Sequence, residues 1–307
     1  LFIAQHTPRR VGYGLARIVA SLIARRQPEI YWTVRANLRQ IVGPEVDDGA
    51  LHEMARQVFF HAGQTYYDFF HAINQPPKVL IEAVRVPEAL IERIRSEMAQ
   101  GQGVLLLGTH MSNFDLAGLA IGAHGLPIQM LSLADPQAGF HILNRLRATM
   151  GFDVTPITPQ SLRAAIRRLK SGGLVATGVD RPIPQDRALG LSSRRRIETL
   201  IEFFGRPAYL PVGPARLALM TGAVVFVGAC HYDPDEGYVL EATGPIEMMR
   251  TGDRRQDILT NTQRLAVVVE GYVRAHPEQW MMFHPVWPES PESEGVSYFL
   301  ANSSITL

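Results

Sequence analysis

Along the first third of the chain, apolar positions recur at helical spacing. Between Arg9 and Arg26 they fall at Val11, Leu15, Ile18, Val19, Leu22 and Ile23, flanked by Arg9, Arg10, Arg17, Arg25 and Arg26. That pattern predicts a basic amphipathic helix. Such a helix either packs its stripe on a protein core or lies in a membrane interface with its guanidinium groups at lipid phosphates, and the pattern alone fits both. Two more helices are predicted, at about Glu29 to Val42 and Asp47 to Ile73. The second carries Phe59, Phe60, Tyr66, Tyr67, Phe69 and Phe70 on several sides, which predicts burial on more than one face or contact with lipid. Pro76 and Pro77 cannot continue it.

Beyond that break the pattern changes. Short apolar runs (VLLLG from 104, PIQMLSL from 127, DVTPI from 153, GLVATGV from 173) alternate with helical stretches from about Ser112, at 137–150 and at 160–171. ETLIEFFG and AVVFVGACHYD continue the alternation, DPDEG turns the chain back as a hairpin into YVLEATG, and a long helix runs from about Arg254 to His276. This predicts an α/β protein with a mainly parallel central sheet flanked by helices. The expected organisation is a helical, membrane-associating region over 1–75, an α/β domain over 76–290 and a tail over 291–307.

Composition adds little to the fold but bears on partners. Of 30 basic residues among 307, only Lys78 and Lys170 are Lys, so 28 are Arg. Arg clasps phosphate and carboxylate bidentately, although a GC-rich coding bias gives the same count. Cys230 is the only cysteine, which excludes an internal disulfide or a Cys-based zinc site and suits a reducing compartment. No run of 18 apolar residues is present, so no membrane span is expected. The chain starts without Met, which leaves room for an upstream anchor. Neither a nucleophile elbow, a phosphate-binding P-loop, an H-E-x-x-H helix nor a nucleic-acid signature occurs, and no metal and no nucleic-acid partner is expected.

The candidate chemistry lies in GTHMSNFDLAG, residues 108–118. A His with an acid five residues on arises by chance roughly once in a chain with this His and acid content. It occurs here three times, as His110/Asp115, His231/Glu236 and His284/Glu289. His231 falls in a polar hairpin turn, and in the third pair Pro285 and Pro288 bar a helix that would carry the acid back. His110 instead follows the apolar run 104–107, at the carboxyl end of a predicted central strand, where α/β sheets bind ligands. Asp115 then accepts from one ring nitrogen and leaves the other to take a proton. The alternative is structural: Ser112 or Asn113 caps the next helix, and Ser112-x-x-Asp115 is a capping box.

Further landmarks are Asn37-Leu38, NRLRATMG at 144–151, GVDRP at 178–182, IEFFGRPAYLPVGPARLA at 201–218 and PEQWMMFH at 277–284. With GTHMSNFDLAG they make the chain resemble the lysophospholipid acyltransferase superfamily. Within it the likeness is to the lipid A late acyltransferase branch, which includes phosphatidylinositol mannoside acyltransferases. The resemblance implies a glycerol-3-phosphate-acyltransferase-like fold. It implies transfer of a fatty acyl chain from acyl carrier protein or coenzyme A to a glycolipid hydroxyl at the cytoplasmic membrane face, with the thioester as co-substrate and no cofactor. His110 is then the general base and Asp115 its partner, while Arg147, Asp180, Asn113, Arg194, Arg195, Arg196 and Glu278 are expected to bind substrate. Backbone N–H groups at Ser112 to Phe114 are the expected oxyanion donors. Transfer to a lysophospholipid, or lipid binding without catalysis, are the competing readings. An Asp as second member of the motif, and WMMFHPVW at the tail, depart from the lipid A branch and put its acceptor in question more than its chemistry.

Overall fold

The computed structural model describes residues 7–72, 75–132, 153–182 and 200–287. Helices α1 (Arg9–Arg26), α2 (Glu29–Val42) and α3 (Asp48–Ala72) come first. After α4 (Pro77–Ala83), β1 (Val84–Arg85) and α5 (Glu88–Ala99) the chain alternates: β2 (Val104–Gly108), α6 (Phe114–Ala123), β3 (Ile128–Ser132), β4 (Asp153–Pro156), α7 (Pro159–Lys170) and β5 (Leu174–Gly178). A small pair β6 (Ile201–Phe203) and β7 (Arg206–Ala208) follows, then α8 (Gly213–Thr221), β8 (Val224–Asp233), β9 (Gly237–Ile246), α9 (Arg254–Ala275) and a 3-10 turn at Pro277–Gln279.

Seven strands form one sheet in the order β1-β9-β8-β2-β5-β3-β4, parallel throughout except for the antiparallel β8–β9 ribbon. The predicted mainly parallel α/β architecture is therefore what the chain adopts. Alternate residues of the central strands feed two cores. Leu105, Leu107, Val175, Val225 and Val227 pack under the N-terminal helices and α7 to α9. Val104, Leu174 and Phe226 pack under α4 to α6. The aromatic helix α3 serves both, with Phe59 in the first core and Phe69 in the second, so its many-sided aromatics reflect burial on more than one face.

One expectation is corrected, and a choice left open by the sequence is decided. Residues 201–208 do not continue the main sheet. Gln263 on α9 bonds both the N–H and the carbonyl of Glu202, and Glu270 takes the Phe204 N–H, so α9 covers the edge of this hairpin. The open choice concerns α1. Its inward face is small: Gly12, Ala16, Ala20 and Ala24 are buried against α3. A Cβ on Gly12 would come within 2.2 Å of the Tyr67 ring, and one on Gly63 within 2.8 Å of the Ala16 Cβ. Backbones this close leave no space for the large side chains, so Val11 (53% exposed), Leu15 (47%), Ile18 (59%), Val19 (45%) and Leu22 (46%) point to solvent. The stripe that periodicity picked out is an outer face. No helix among the described residues is long and apolar enough to cross a membrane. The predicted helix at 137–150 lies outside the described residues.

This packing gives a paired test. Gly12→Ala is expected to destabilise the fold by about 1–3 kcal/mol through overpacking. Gly14→Ala, on the same helix with nothing within 4 Å of the new Cβ, is expected to stabilise by about 0.5–1 kcal/mol. Urea unfolding midpoints of the two variants measure the contrast.

Candidate functional site

Strand β2 is flanked by β5 and β8, and the registers align Gly108 with Gly178 on one side and with Gly228 on the other. β2 and β5 thus end on a row of glycines that Gly228, midway along β8, completes. Val179 N–H donates to the Gly108 carbonyl and Thr109 N–H to the Gly228 carbonyl, which carries the alignment one residue further. Two residues past their aligned glycines stand His110 and Asp180. The parallel register alone brings these two side chains together at the carboxyl edge of the sheet, the usual ligand side of such folds.

Asp180 is fully buried and accepts three hydrogen bonds. His110 Nδ1 donates to Oδ1 at 2.6 Å, His110 backbone N–H to Oδ2 at 2.9 Å, and the Trp280 indole to Oδ2 at 2.8 Å. The proton is assigned to Nδ1 because a carboxylate only accepts. Burial pushes the carboxyl upward, but the imidazole and the three donors outweigh it and hold Asp180 below the usual carboxylate range. The His110 ring keeps 21% of its surface exposed, and among the described residues its Nε2 has no hydrogen-bond partner. Nε2 is therefore the nitrogen with a lone pair for an incoming proton.

Neighbours fix the ring on its remaining sides. Phe114 meets it edge-on with centroids 5.0 Å apart. A Cβ at Gly178 would stand 2.8 Å from its Cε1, so glycine there makes space for the imidazole. The turn after His110 is held by a strap from the C-terminal side: Ser112 N–H donates to the Gln279 carbonyl, Met281 N–H to the His110 carbonyl, and Met111 bridges Trp280. Ser112 adopts φ 42°, a left-handed conformation costing about 1–2 kcal/mol, which these bonds retain. Asn37 secures the strap from below by donating to the carbonyls of Met282 and His284.

Several predicted residues change role. Asp115 does not orient His110 through Nδ1, since Asp180 holds that nitrogen; Asp115 lies buried in the first turn of α6, where the helix N-terminus favours its charge. Asn113, expected to bind substrate, is the N-cap. It is fully buried, its Oδ1 accepts from Leu116 N–H and its Nδ2 donates to the Thr65 carbonyl. Ser112 N–H, expected at an oxyanion, is bonded to Gln279 instead. Glu278 sits in the 3-10 turn, and its charge acts on His61. Arg147, Arg194, Arg195 and Arg196 lie outside the described residues.

Sequence reasoning missed Trp280, Gly178, Arg181 and His284. Burial lowers the pKa of Arg181 against the opposing influence of Tyr66 and Asp180. Burial, Arg181 and His110 pull His284 down to about 4. His284 is thus a neutral donor and acceptor near His110 at pH 7. Their sequence signal was membership in the quoted landmarks, with His284 also in the third His–acid pair.

With the geometry in place, known proteins can be compared. The family profile described as bacterial lipid A biosynthesis acyltransferase matches residues 1–289. Among curated proteins, the phosphatidylinositol mannoside acyltransferase of Mycobacterium tuberculosis is 25% identical over 201 residues, which is 64% of this chain and 58% of the relative. The protein of the same name from Mycolicibacterium smegmatis is 24% identical over 201 residues, 64% of this chain and 60% of the relative. The matched region thus spans about three fifths of the length of these relatives.

The buried carboxylate sets an acid limb of stability. Its folded pKa lies below the reference 3.8, so its contribution is full above that value and is lost as pH falls through the folded pKa. Asp180→Asn is therefore expected to destabilise the protein at pH 7 by roughly 3 kcal/mol. The gap to wild type should shrink below about pH 4, as read by chemical denaturation at pH 7 and pH 3.

Proposed function

From a chain that belongs to the bacterial lipid A biosynthesis acyltransferase family, we propose an enzyme that esterifies a hydroxyl of a membrane glycolipid with a fatty acyl group taken from a thioester of acyl carrier protein or coenzyme A. The observation that carries this reading is the His110–Asp180 pair at the sheet's carboxyl edge, with Nδ1 held and Nε2 left to act. The reaction needs a base because an alcohol is a weak nucleophile at neutral pH. Nε2 of His110 removes the hydroxyl proton as the oxygen attacks the thioester carbonyl, the C–O bond forms, the C–S bond breaks, and the imidazolium returns the proton to the departing thiolate. Asp180 fixes the tautomer and stabilises the imidazolium, the part a carboxylate plays in Ser-His-Asp enzymes. No acyl-enzyme is required, since the acceptor itself attacks. The Phe114 N–H at the start of α6 is the candidate for oxyanion stabilisation, since the Asn113 N–H is taken by the buried Cys230 sulfur, and Arg181 and His284 are candidates for contacts to the acceptor. The phosphatidylinositol mannoside acyltransferases named above supply the acceptor class, a glycosylated lipid.

A membrane partner is supported by α1. At about 100° per residue, Val11, Leu15, Ile18, Val19 and Leu22 fall within an arc of about 100°, and Ile30 and Trp32 at the start of α2 are also exposed. An outward apolar stripe with Arg25 and Arg26 at its end suits an interface of acyl chains and anionic headgroups. We place the protein peripherally on the inner membrane, on its cytoplasmic side, where thioester donors are made.

Two measurements test this reading. His110→Ala and Asp180→Asn should each lower kcat for transfer from a long-chain thioester to a phosphoinositol mannoside by about 10²–10⁴-fold, with folding checked by circular dichroism. Undiminished turnover in His110→Ala removes the proposed base, and a preference for lysophosphatidic acid over the glycolipid shifts the acceptor. Replacing Ile18 and Leu22 by Glu should strongly reduce co-sedimentation with vesicles containing phosphatidylglycerol while the unfolding midpoint stays near wild type, because both side chains are already in water in the isolated protein.

A further inference from the structure

Away from the His110 ring, a second group of ligating side chains gathers on the β8–β9 ribbon. His231 on β8 faces Val239 in the register, so Glu241 is its diagonal neighbour on the same face, within reach of a long side chain. His276, the residue that ends α9, lies over them: its ring stacks on His231 with centroids 4.3 Å apart and planes 14° from parallel. His231 Nδ1 and Glu241 Oε1 are 3.4 Å apart. One ligand atom from each of His231, Glu241 and His276 lies within 4.8 Å of the other two.

We propose that His231, Glu241 and His276 form a site for a divalent transition-metal ion of the Zn²⁺ class, and that the ion latches the end of α9 to the β8–β9 ribbon. Three atoms no more than 4.8 Å apart can all lie within about 2.8 Å of a common centre. Closing to the 2.0–2.2 Å of Zn–N and Zn–O bonds requires the two stacked rings, now 14° from parallel, to rotate out of their stack so that both in-plane lone pairs face the ion, with the half-exposed Glu241 following. The 3.4 Å between His231 and Glu241 already suits the edge of a tetrahedron with bonds of that length. Two imidazoles with one carboxylate select Zn²⁺, Co²⁺ or Ni²⁺ over the hard cations Mg²⁺ and Ca²⁺, which prefer all-oxygen shells. Asp233 and Glu236 at the turn of the hairpin add negative potential around His231. Glu241 is 51% exposed and His231 13%, so an ion enters from solvent, and three protein ligands leave room for water at a fourth position.

Position gives the latch its meaning. Immediately after His276 the chain enters the strap, where Gln279 Oε1 accepts from Tyr232 N–H at 2.7 Å and its Nε2 donates to the Tyr232 carbonyl at 3.0 Å. Trp280 follows, bonded to Asp180. An ion joining His276 to His231 reinforces the same junction from its outer side.

The test uses the untagged full chain, stripped with chelator, titrated with Co²⁺ by its visible absorption and with Zn²⁺ by competition against a chromophoric chelator. One equivalent is expected to bind. Glu241→Gln and His276→Gln are each expected to weaken binding by roughly 10–100-fold or more, at least the loss seen when a ligand's supporting partner is removed. Amide exchange over 276–282 is expected to slow when Zn²⁺ is added to wild type. Absence of saturable binding, or equal affinity in the Glu241→Gln protein, whose half-exposed side chain is not needed for folding, overturns the site. Binding without slower exchange overturns the latch.

Discussion

A carboxylate without exposed surface must find its whole solvation inside the protein, and Asp180 finds it in three donors from two distant segments. The imidazole and backbone N–H of His110 come from the turn after β2, and the indole of Trp280 comes from the strap after α9. One buried charge thereby joins the ends of two central strands to the strap that follows α9. Removing any donor leaves a charge that neither water nor another group replaces, and breaking a buried pair in that way costs about 3–5 kcal/mol. The same bonds fix which ring nitrogen carries the proton. Stability and the protonation pattern of His110 are two consequences of one contact.

The position of His110 was legible because it depends on local information: an apolar run long enough for a central strand, then a turn. Its partner was not. A spacing of five residues suggests an acid folded back on the histidine, but Ser112 turns into the left-handed region, Asn113 caps α6, and Asp115 moves off along that helix. The acid that meets the ring arrives through strand register. Gly108-Thr109-His110 and Gly178-Val179-Asp180 run side by side in register, yet α6, β3, β4 and α7 intervene in sequence. Only a knowledge that β2 and β5 are adjacent converts that similarity of pattern into a contact. Asp180 was named from the landmark GVDRP, which gave the residue without the bond.

Periodicity located α1 to the residue and left open whether its stripe faces the core or the outside. A stripe of large apolar side chains marks one face of a helix without saying what covers it. Gly12, Ala16, Ala20 and Ala24 recur every four residues on the other side, and small residues permit the closest approach of two helix axes. With Tyr67 and Gly63 of α3 against them, that close contact wins the interior, and the larger apolar side chains stay outside. The signal was present as a four-residue repeat of small residues, which carries no weight on a hydrophobicity scale.

The strap shows how a segment with almost no regular structure is positioned. Each stretch of it is held by a polar group from elsewhere: Gln279 on Tyr232, Trp280 on Asp180, Met282 and His284 on Asn37, Val286 on Tyr209, and Trp287 on the Phe203 carbonyl. Asn37 belongs to α2, the helix that follows α1, and buried residues of α1 and α2 share one core with β2 and β5. The exposed stripe of α1 and the ring of His110 are consequently parts of one packed body, at a fixed separation. Under the proposed function this rigidity has a use. A protein resting on a lipid surface by α1 holds its base at one height above the headgroups, so the acceptors it reaches are selected by how far their hydroxyls stand from the bilayer as well as by their chemistry.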